Sequence, residues 1–134
     1  MELKISEFGV KLYHVPLKEV LIDSLHGSHT RFDLITVTVT TQDGLSGTGY
    51  TYTGGRGGYA IASLIQQDLR PYLVGACFEH PSQLTHRLDR TFHYVGRGGI
   101  LSFALSAVDI ALWDLYLKKQ NLSLCCLQGR GPKP

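Results

Sequence analysis

The stretch LITVTVTTQDGLSGTGYTYT, residues 34–53, decides the fold of this chain of 134 residues. Its first half alternates isoleucine and valine with threonine, which is the period of a half-buried strand rich in β-branched residues. Asp43-Gly44 follows, and this dipeptide is typical of a tight hairpin turn because glycine accepts a positive φ. The pattern predicts a hairpin that pairs residues 34–41 with residues 45–53.

The strand that returns from this turn contains two glycines, Gly47 and Gly49. A strand face without side chains suits the close approach of another backbone or of a ligand. Upstream, residues 8–14 alternate as a further strand, and we expect Pro16 to end it because proline cannot donate to the ladder. The first half of the chain therefore predicts three successive strands.

The second half of the chain is typical of helices. Apolar residues at helical spacing predict one helix from about Ile61 that stops at Pro71, and a second helix that begins at Pro81. A third helix is predicted from Ile100 to Lys119, and it is apolar on nearly every side, so several neighbours should bury it. Strands followed by helices indicate the α+β class.

The longest predicted loop runs over residues 16–30 and contains Asp23, His26 and His29. A loop of this length in a compact domain is often functional, and histidines there commonly donate hydrogen bonds to ligands. The spacing His26-x-x-His29 is a weak metal signal, because zinc sites need three or four ligands and no cysteine or acidic residue is spaced to complete one. We therefore expect either a plain polar surface or substrate contact, and no metal.

A second candidate segment is TYTGGRGG, residues 51–58, which contains Tyr52, Thr53 and Arg56 at a strand-to-helix junction. Glycine amides and the following helix N-terminus suit an anion, and Arg56 adds a bidentate donor for a carboxylate. The phosphate-loop and dinucleotide motifs do not fit, because the Lys-Ser/Thr pair and the third glycine are missing. A tight turn without a ligand is the alternative.

Composition argues against several classes of function. Thirteen basic and eleven acidic residues leave a net charge of +2, without the basic stripe of a nucleic-acid surface. The three cysteines, Cys77, Cys125 and Cys126, indicate free thiols in a reducing, cytoplasmic location. The apolar run 100–117 carries two aspartates, which argues against a membrane span, and no secretory leader is visible.

The run ALSAVDIALWDLYLKKQNLSLCCLQG, residues 104–129, resembles the first signature of the mandelate racemase and muconate lactonizing family of the enolase superfamily. The upstream segments VPLKEVLIDSLHG, TYTGGRGG and HYVGRGGI resemble its sugar-acid dehydratase-like members. The resemblance covers residues 1–129. Leu117 stands where the signature has glycine or alanine, and Gln128 stands where it has an apolar residue.

The resemblance implies an N-terminal capping domain at residues 1–129 and a short tail at 130–134. It implies the enolase N-terminal-domain-like fold, a three-stranded antiparallel meander followed by a helical bundle. In this family the cap closes over a following β/α barrel, and two cap loops shape the pocket for a sugar acid or other carboxylate. By position, the substrate-binding residues of these loops are Asp23, His26, His29, Tyr52, Thr53 and Arg56.

The family abstracts the proton α to a carboxylate and stabilises the enediolate with Mg²⁺, as in its dehydratases and racemases. Its metal ligands and bases lie on the barrel strands, so the resemblance assigns no catalytic residue and no metal ligand to this chain. It implies Mg²⁺ only for the full-length enzyme. Three alternatives stay open: a capping domain separated from the barrel of a Mg²⁺-dependent sugar-acid dehydratase or racemase and inactive alone, a binding or co-assembly module, and a non-functional fragment. We also expect the chain to self-associate.

Overall fold

The computed structural model describes residues 2–131. A π-helical turn, Leu64–Leu69, joins the first two helices, and a 3₁₀ turn, His93–Val95, precedes the longest helix. The remaining elements are β1 Leu3–Asp23, β2 Gly27–Thr41, β3 Ser46–Thr53, α1 Gly58–Ser63, α2 Arg70–Leu73, β4 Cys77–Phe78, α3 Pro81–Thr91, α4 Gly99–Gln120 and α5 Leu124–Leu127. The strands form one antiparallel sheet in the order β3-β2-β1-β4, with the helices packed on one face.

The hairpin predicted from residues 34–53 is confirmed. β2 pairs with β3 from Asp33 opposite Thr53 to Thr40 opposite Ser46. Gly44 adopts a φ of +84° in the turn, as the Asp-Gly dipeptide predicts. The alternating isoleucine and valines of β2 are fully buried, so the predicted inner face is the one that meets the helices.

β3 and α4 touch through their backbones. Gly47 lies against the main chain of Ala111 and Leu115, and Gly49 lies against that of Ala107 and Ala111. A Cβ atom on either glycine would overlap the backbone of the helix. The expectation that these glycines allow a close backbone approach is therefore confirmed, and the approaching segment is a helix.

The prediction that Pro16 ends the first strand is wrong. β1 continues beyond Pro16 and pairs with β2 again after a register shift between Pro16 and Leu21. Beyond Ile5 the outer edge of β1 faces no other strand of the described chain, and an edge or bulge tolerates a residue without an N–H. Residues 16–30 therefore form a projecting β-hairpin, which we call the hairpin arm, and not an irregular loop.

Pro71 does not stop the first helix, so that prediction is also wrong. The π-helical turn changes the hydrogen-bond spacing before Pro71, which lies in the first turn of α2. A residue without an N–H is tolerated at the first turn of a new helical segment. The helix ends instead at Leu73, because Val74 adopts extended angles.

The two later helices are confirmed. α3 begins at Pro81, and His80 and Gln83 form a capping box before it. α4 covers the predicted range and is long and apolar enough to cross a membrane, with a mean hydropathy of 1.6. Its fully buried residues Ala107 and Leu112 nevertheless belong to the core between sheet and helices, which makes α4 a core helix.

Two short elements lack a signal in the sequence pattern. β4 pairs only with Leu3 and Lys4 of β1, and a strand of two residues has no periodicity to detect. α5 is a single turn that begins where the Ser123 side chain accepts a hydrogen bond from the Cys126 amide. Of the predicted tail 130–134, the first two residues are exposed and the last three lie outside the described residues.

The contact between β3 and α4 predicts a sharp difference between two glycines. We expect Gly49→Ala to lower the free energy of unfolding by about 1–3 kcal/mol, because the new methyl group overlaps the helix backbone. Gly9→Ala is the matched control, since no atom lies within 4 Å of its added Cβ. Urea unfolding of both variants measures the difference, and equal stabilities would contradict the contact.

Candidate functional site

The two candidate segments meet at one end of the sheet. The hairpin arm and the β3–α1 turn, residues 54–57, form the two sides of an open cleft of about 690 Å³. Its lining residues are Leu25, His26, Ser28, His29, Phe32, Tyr52, Gly54 and Arg56. The structure therefore brings together polar side chains that are far apart in the sequence.

Asp23 organises the tip of the hairpin arm. Its Oδ1 accepts hydrogen bonds from the backbone N–H groups of Leu25 at 2.9 Å and His26 at 2.6 Å. The same oxygen lies 3.0 Å from Nδ1 of His26, and Oδ2 lies 3.1 Å from Nε2 of His29. The carboxylate thus holds both the turn backbone and the two imidazole rings.

These hydrogen bonds shift the ionisation of Asp23. The backbone N–H of His26 makes the largest contribution, and with the other donors it lowers the pKa of Asp23 from 3.8 to about 2. Desolvation opposes this shift. The carboxylate is therefore ionised at neutral pH and is a permanent acceptor for groups in the cleft.

The sequence argument that no acidic residue could join the two histidines does not hold. One ligand atom each from Asp23, His26 and His29 lies within 4.8 Å of the others. Asp23 lies in the same predicted loop as the histidines, but its position beside them depends on the turn between β1 and β2. A strand that ended at Pro16 would not form that turn.

His29 links the hairpin arm to the β3–α1 turn. Its Nδ1 lies 3.3 Å from the carbonyl oxygen of Gly54. A Cβ on Gly54 would lie 2.7 Å from the His29 ring, so the absence of a side chain makes room for the imidazole. Arg31 adds a second link, because its guanidinium lies 3.4 Å from the carbonyl oxygen of Gly55. The two sides of the cleft are therefore held together.

The remaining predicted residues divide between two faces of the sheet. Tyr52 is exposed on the outer face, where its ring lies 5.6 Å from that of Phe32. Arg56 is exposed on the cleft wall. Thr53 points to the opposite face from Tyr52, because successive strand residues alternate. Its Oγ1 is buried without a hydrogen-bond partner in residues 2–131, and it does not line the cleft.

The sequence analysis missed a network of polar side chains that lies beneath the β3–α1 turn. Asp33 is only 2% exposed, and its Oδ1 lies 2.7 Å from Nδ1 of His14 and 3.7 Å from Nε of Arg31. Nε2 of His14 lies 3.0 Å from the Tyr59 hydroxyl. Gly58 packs directly on the Asp33 side chain. This network of side chains supports the turn from the inner face of the sheet.

One signal could have revealed Asp33. It has the same parity in β2 as the buried residues Ile35 and Val37, so the strand pattern places a carboxylate on the inner face. A buried carboxylate requires partners. The identity of those partners depends on the pairing of β1 with β2, which brings His14 opposite Asp33.

Comparison with known families assigns the domain. The family described as "Mandelate racemase / muconate lactonizing enzyme, N-terminal domain" matches residues 9–129. The chain belongs to this family. The family resemblance seen in the sequence is thereby confirmed. The predicted α+β class is confirmed by the observed fold, whose sheet has one short strand more than the predicted three.

Two curated relatives of this N-terminal domain are sugar-acid enzymes. The 3,6-anhydro-alpha-L-galactonate cycloisomerase of Streptomyces coelicolor is 48% identical over 83% of this chain and 31% of the relative. The L-talarate/galactarate dehydratase of Salmonella typhimurium is 33% identical over 75% of this chain and 25% of the relative. The chain thus spans less than a third of the length of these two relatives.

Solved structures agree in fold. A racemase from Streptomyces coelicolor with bound magnesium has a TM-score of 0.80 and 46% identity, over 83% of this chain and 31% of that one. The Salmonella typhimurium dehydratase, liganded with Mg and L-lyxarohydroxamate, has a TM-score of 0.85 and 26% identity. That match covers 96% of this chain and 34% of the dehydratase.

The donor set of the hairpin arm can be compared with the requirements of Mg²⁺. Mg²⁺ prefers carboxylate and other oxygen ligands in octahedral geometry. Among residues 2–131, the one cluster of three metal-ligating side chains contains a single carboxylate and two imidazoles. This donor set does not fit Mg²⁺, so the magnesium ligands of a full-length enzyme are expected outside these residues.

The ionisation of Asp23 has a testable pH dependence. Its pKa in the folded chain, about 2, lies below the ordinary 3.8. A depressed pKa contributes stability that is present above the ordinary value and is lost as the pH falls through the folded value. We therefore expect the turn to keep its amide hydrogen bonds at about pH 4 and to lose them near pH 2.

Carboxyl-carbon NMR measures this titration directly, and Asp23→Asn identifies the resonance by its disappearance. The expected midpoint is about 2, with the Leu25 and His26 amide shifts following the same curve. A midpoint at or above 3.8, or amide shifts that do not follow it, would show that the carboxylate does not hold the turn.

Proposed function

We propose that this chain is the capping domain of a Mg²⁺-dependent sugar-acid dehydratase or isomerase and that it shapes the substrate pocket. The observation that carries the proposal is the cleft in which the hairpin arm and the β3–α1 turn are held together. These are the two segments that the family resemblance assigns to substrate contact. The relatives with the same fold are named for reactions of sugar acids.

The cleft has the chemistry expected for a polyhydroxylated carboxylate. Arg56 offers a planar pair of N–H donors that matches a carboxylate, and among residues 2–131 its side chain has no hydrogen-bond partner. His26 offers its second ring nitrogen, Nε2, to hydroxyl groups, whereas His29, whose two nitrogens contact Asp23 and Gly54, contributes by holding the two sides of the cleft together. Tyr52 provides an aromatic wall with a hydroxyl at its end.

Thr53 has a different part in the proposal. The resemblance implies a substrate contact for it, but its side chain lies on the inner face, opposite Asp33 in the strand register. We infer that it contributes by supporting the β3–α1 turn, which positions Arg56.

The domain is proposed to extend over residues 1–129. Its three exposed free cysteines favour the reducing environment of the cytoplasm.

The helical side of the domain has an exposed apolar face. A cleft of about 790 Å³ lies between α4 and α5. Ile110, Leu124 and Leu127 line it and are more than 40% exposed, and Phe103 extends the face along α4. We propose that the barrel domain covers this face. Leu117, the departure from the family signature, is buried at the base of the same cleft.

A chimera tests the capping proposal. Residues 9–129 replace the matching segment of the Streptomyces coelicolor cycloisomerase, and turnover of that enzyme's own substrate is measured. We expect a folded chimera with detectable activity, while the chain alone with Mg²⁺ shows no turnover. Arg56→Ala should raise KM by about 10-fold or more, as expected from the loss of a charged hydrogen bond of roughly 1.5–3 kcal/mol.

The matched control for Arg56→Ala is Arg90→Ala on α3, which removes an exposed arginine outside the cleft. We expect it to leave KM unchanged. A folded chimera in which both arginine variants behave alike would contradict a role of the cleft in substrate binding. Turnover by the chain alone, after removal of contaminating enzymes, would contradict the assignment of the chemistry to another domain.

The uncovered apolar face predicts self-association of the chain by itself. We expect sedimentation velocity to show oligomers that increase with concentration, because large contiguous apolar patches are rarely left exposed on soluble monomers. Ile110→Glu should shift the chain toward monomer. Tyr94→Glu is the control, since Tyr94 is fully exposed and lies outside the face. A monomeric parent chain at all concentrations would contradict the prediction.

A further inference from the structure

We propose that Asp23, His26 and His29 form a binding site for a divalent transition metal of the Zn²⁺ class at the tip of the hairpin arm. One ligand atom from each residue lies within 4.8 Å of the others. One carboxylate oxygen and two imidazole nitrogens make up a donor set that Zn²⁺ prefers. Mg²⁺ prefers oxygen ligands in octahedral geometry, so this donor set does not suit it.

The register of the hairpin arm explains why these three residues meet. Asp23 pairs with Gly27 and Leu21 pairs with His29, so Asp23 and His29 are diagonal neighbours on one face of the arm. Gly27 has no side chain to separate them. His26 lies in the turn, where its backbone N–H donates to the Asp23 carboxylate. Residues at i, i+3 and i+6 therefore converge across a turn.

The hydrogen bonding of His29 is incomplete without a cation or an additional proton. Its Nδ1 lies 3.3 Å from the Gly54 carbonyl oxygen, and its Nε2 lies 3.1 Å from Oδ2 of Asp23. The Gly54 carbonyl and the Asp23 carboxylate can only accept, and a neutral imidazole carries one N–H, so His29 can donate to only one of them and turns a lone pair toward the other. Two acceptors then face each other.

A metal ion between Nε2 of His29 and Oδ2 of Asp23 would separate the two facing acceptors, and Nδ1 would then carry the proton that the Gly54 carbonyl accepts. Histidines that ligate metals usually donate their second ring N–H to a carbonyl or carboxylate, which fixes the ring orientation. The bond from His29 to Gly54 has this form, and Gly54 leaves space for the ring. This outer contact comes from the β3–α1 turn, so it is independent of the three proposed ligands.

The distances between the three ligand side chains suit a tetrahedral Zn²⁺ ion after a small movement of the imidazole rings. Ligands at roughly 2.0–2.1 Å from Zn²⁺ lie about 3.3 Å from one another. The carboxylate oxygens already lie 3.0 and 3.1 Å from the two ring nitrogens. These distances involve two different oxygens, so at least one imidazole must turn toward the oxygen that binds the ion, and the His26 side chain, 66% exposed, is free to move. Both rings line the cleft, where water or a ligand carboxylate completes the coordination.

This inference does not rest on the proposed capping function, because all three ligands belong to one hairpin of this chain. A cation at the tip would add positive charge to the cleft that also contains Arg56. The consequence is a stronger attraction for anionic ligands. Metal binding and substrate binding can be measured separately, so failure of one proposal leaves the other standing.

The test is a calorimetric titration of the full chain with Zn²⁺. It uses the Cys125→Ser/Cys126→Ser background, because two adjacent exposed thiols would bind zinc themselves. We expect one equivalent to bind with a Kd of about 10 μM or tighter, equivalent to roughly −7 kcal/mol. Co²⁺ should bind at the same site with the visible spectrum of tetrahedral coordination, and Mg²⁺ should not compete.

Variants decide which residues bind the ion. His29→Gln should weaken Zn²⁺ binding by about 100-fold or more, whereas His93→Gln, at an exposed histidine outside the cleft, should leave it unchanged. Asp23→Asn keeps a side-chain oxygen for the turn amides and should weaken binding by about 10-fold or more. It also tests the site if His29→Gln does not fold.

Three results would overturn the proposal. The first is no binding at about 1 mM Zn²⁺, which would leave a second proton on His29 as the solution to the facing acceptors. The second is equal affinity in the parent, His29→Gln and Asp23→Asn chains. The third is competition by Mg²⁺ at concentrations similar to Zn²⁺, which would contradict the class of metal.

Discussion

The backbone contact between β3 and α4 is the constraint on which the rest of the structure depends. Gly47 and Gly49 bring the sheet so close to the helix that the main chains of Ala107 and Ala111 lie directly against them. This separation sets the thickness of the core that the apolar residues of β2 and α4 fill. β3 continues from this contact to Thr53, where the β3–α1 turn with Arg56 begins.

The candidate site follows from this constraint through main-chain links. The hairpin arm continues the first two strands, and the β3–α1 turn continues the third, so both sides of the cleft are extensions of one sheet. The carbonyl groups of Gly54 and Gly55 receive contacts from His29 and Arg31 across the gap. Asp33 supports the same turn from the inner face. The geometry of the cleft therefore depends both on the sheet that carries its two sides and on these contacts across it.

The sequence predicted those parts of the fold that leave a local signal. The hairpin around Asp43-Gly44 and the helix α4 were recognisable because strand alternation, a turn dipeptide and helical spacing are local patterns. The predictions at Pro16 and Pro71 failed because the rule for each depends on its surroundings, an unpaired sheet edge in one case and a π-helical turn in the other. The role of the candidate residues stays a prediction, and the partners of Asp23 and Asp33 depend on strand register, which no short segment encodes.

The free outer edge of β1 has a consequence for the behaviour of the chain. An unpaired strand edge is a template on which a strand of another molecule can add. Pro16 lies near the middle of this edge and has no N–H to offer to an incoming strand, and the register shift that follows it breaks the straight run. Lys11 and Lys18 add exposed charges to β1. The residue that looked like a strand terminator instead makes this edge a poor template for another strand.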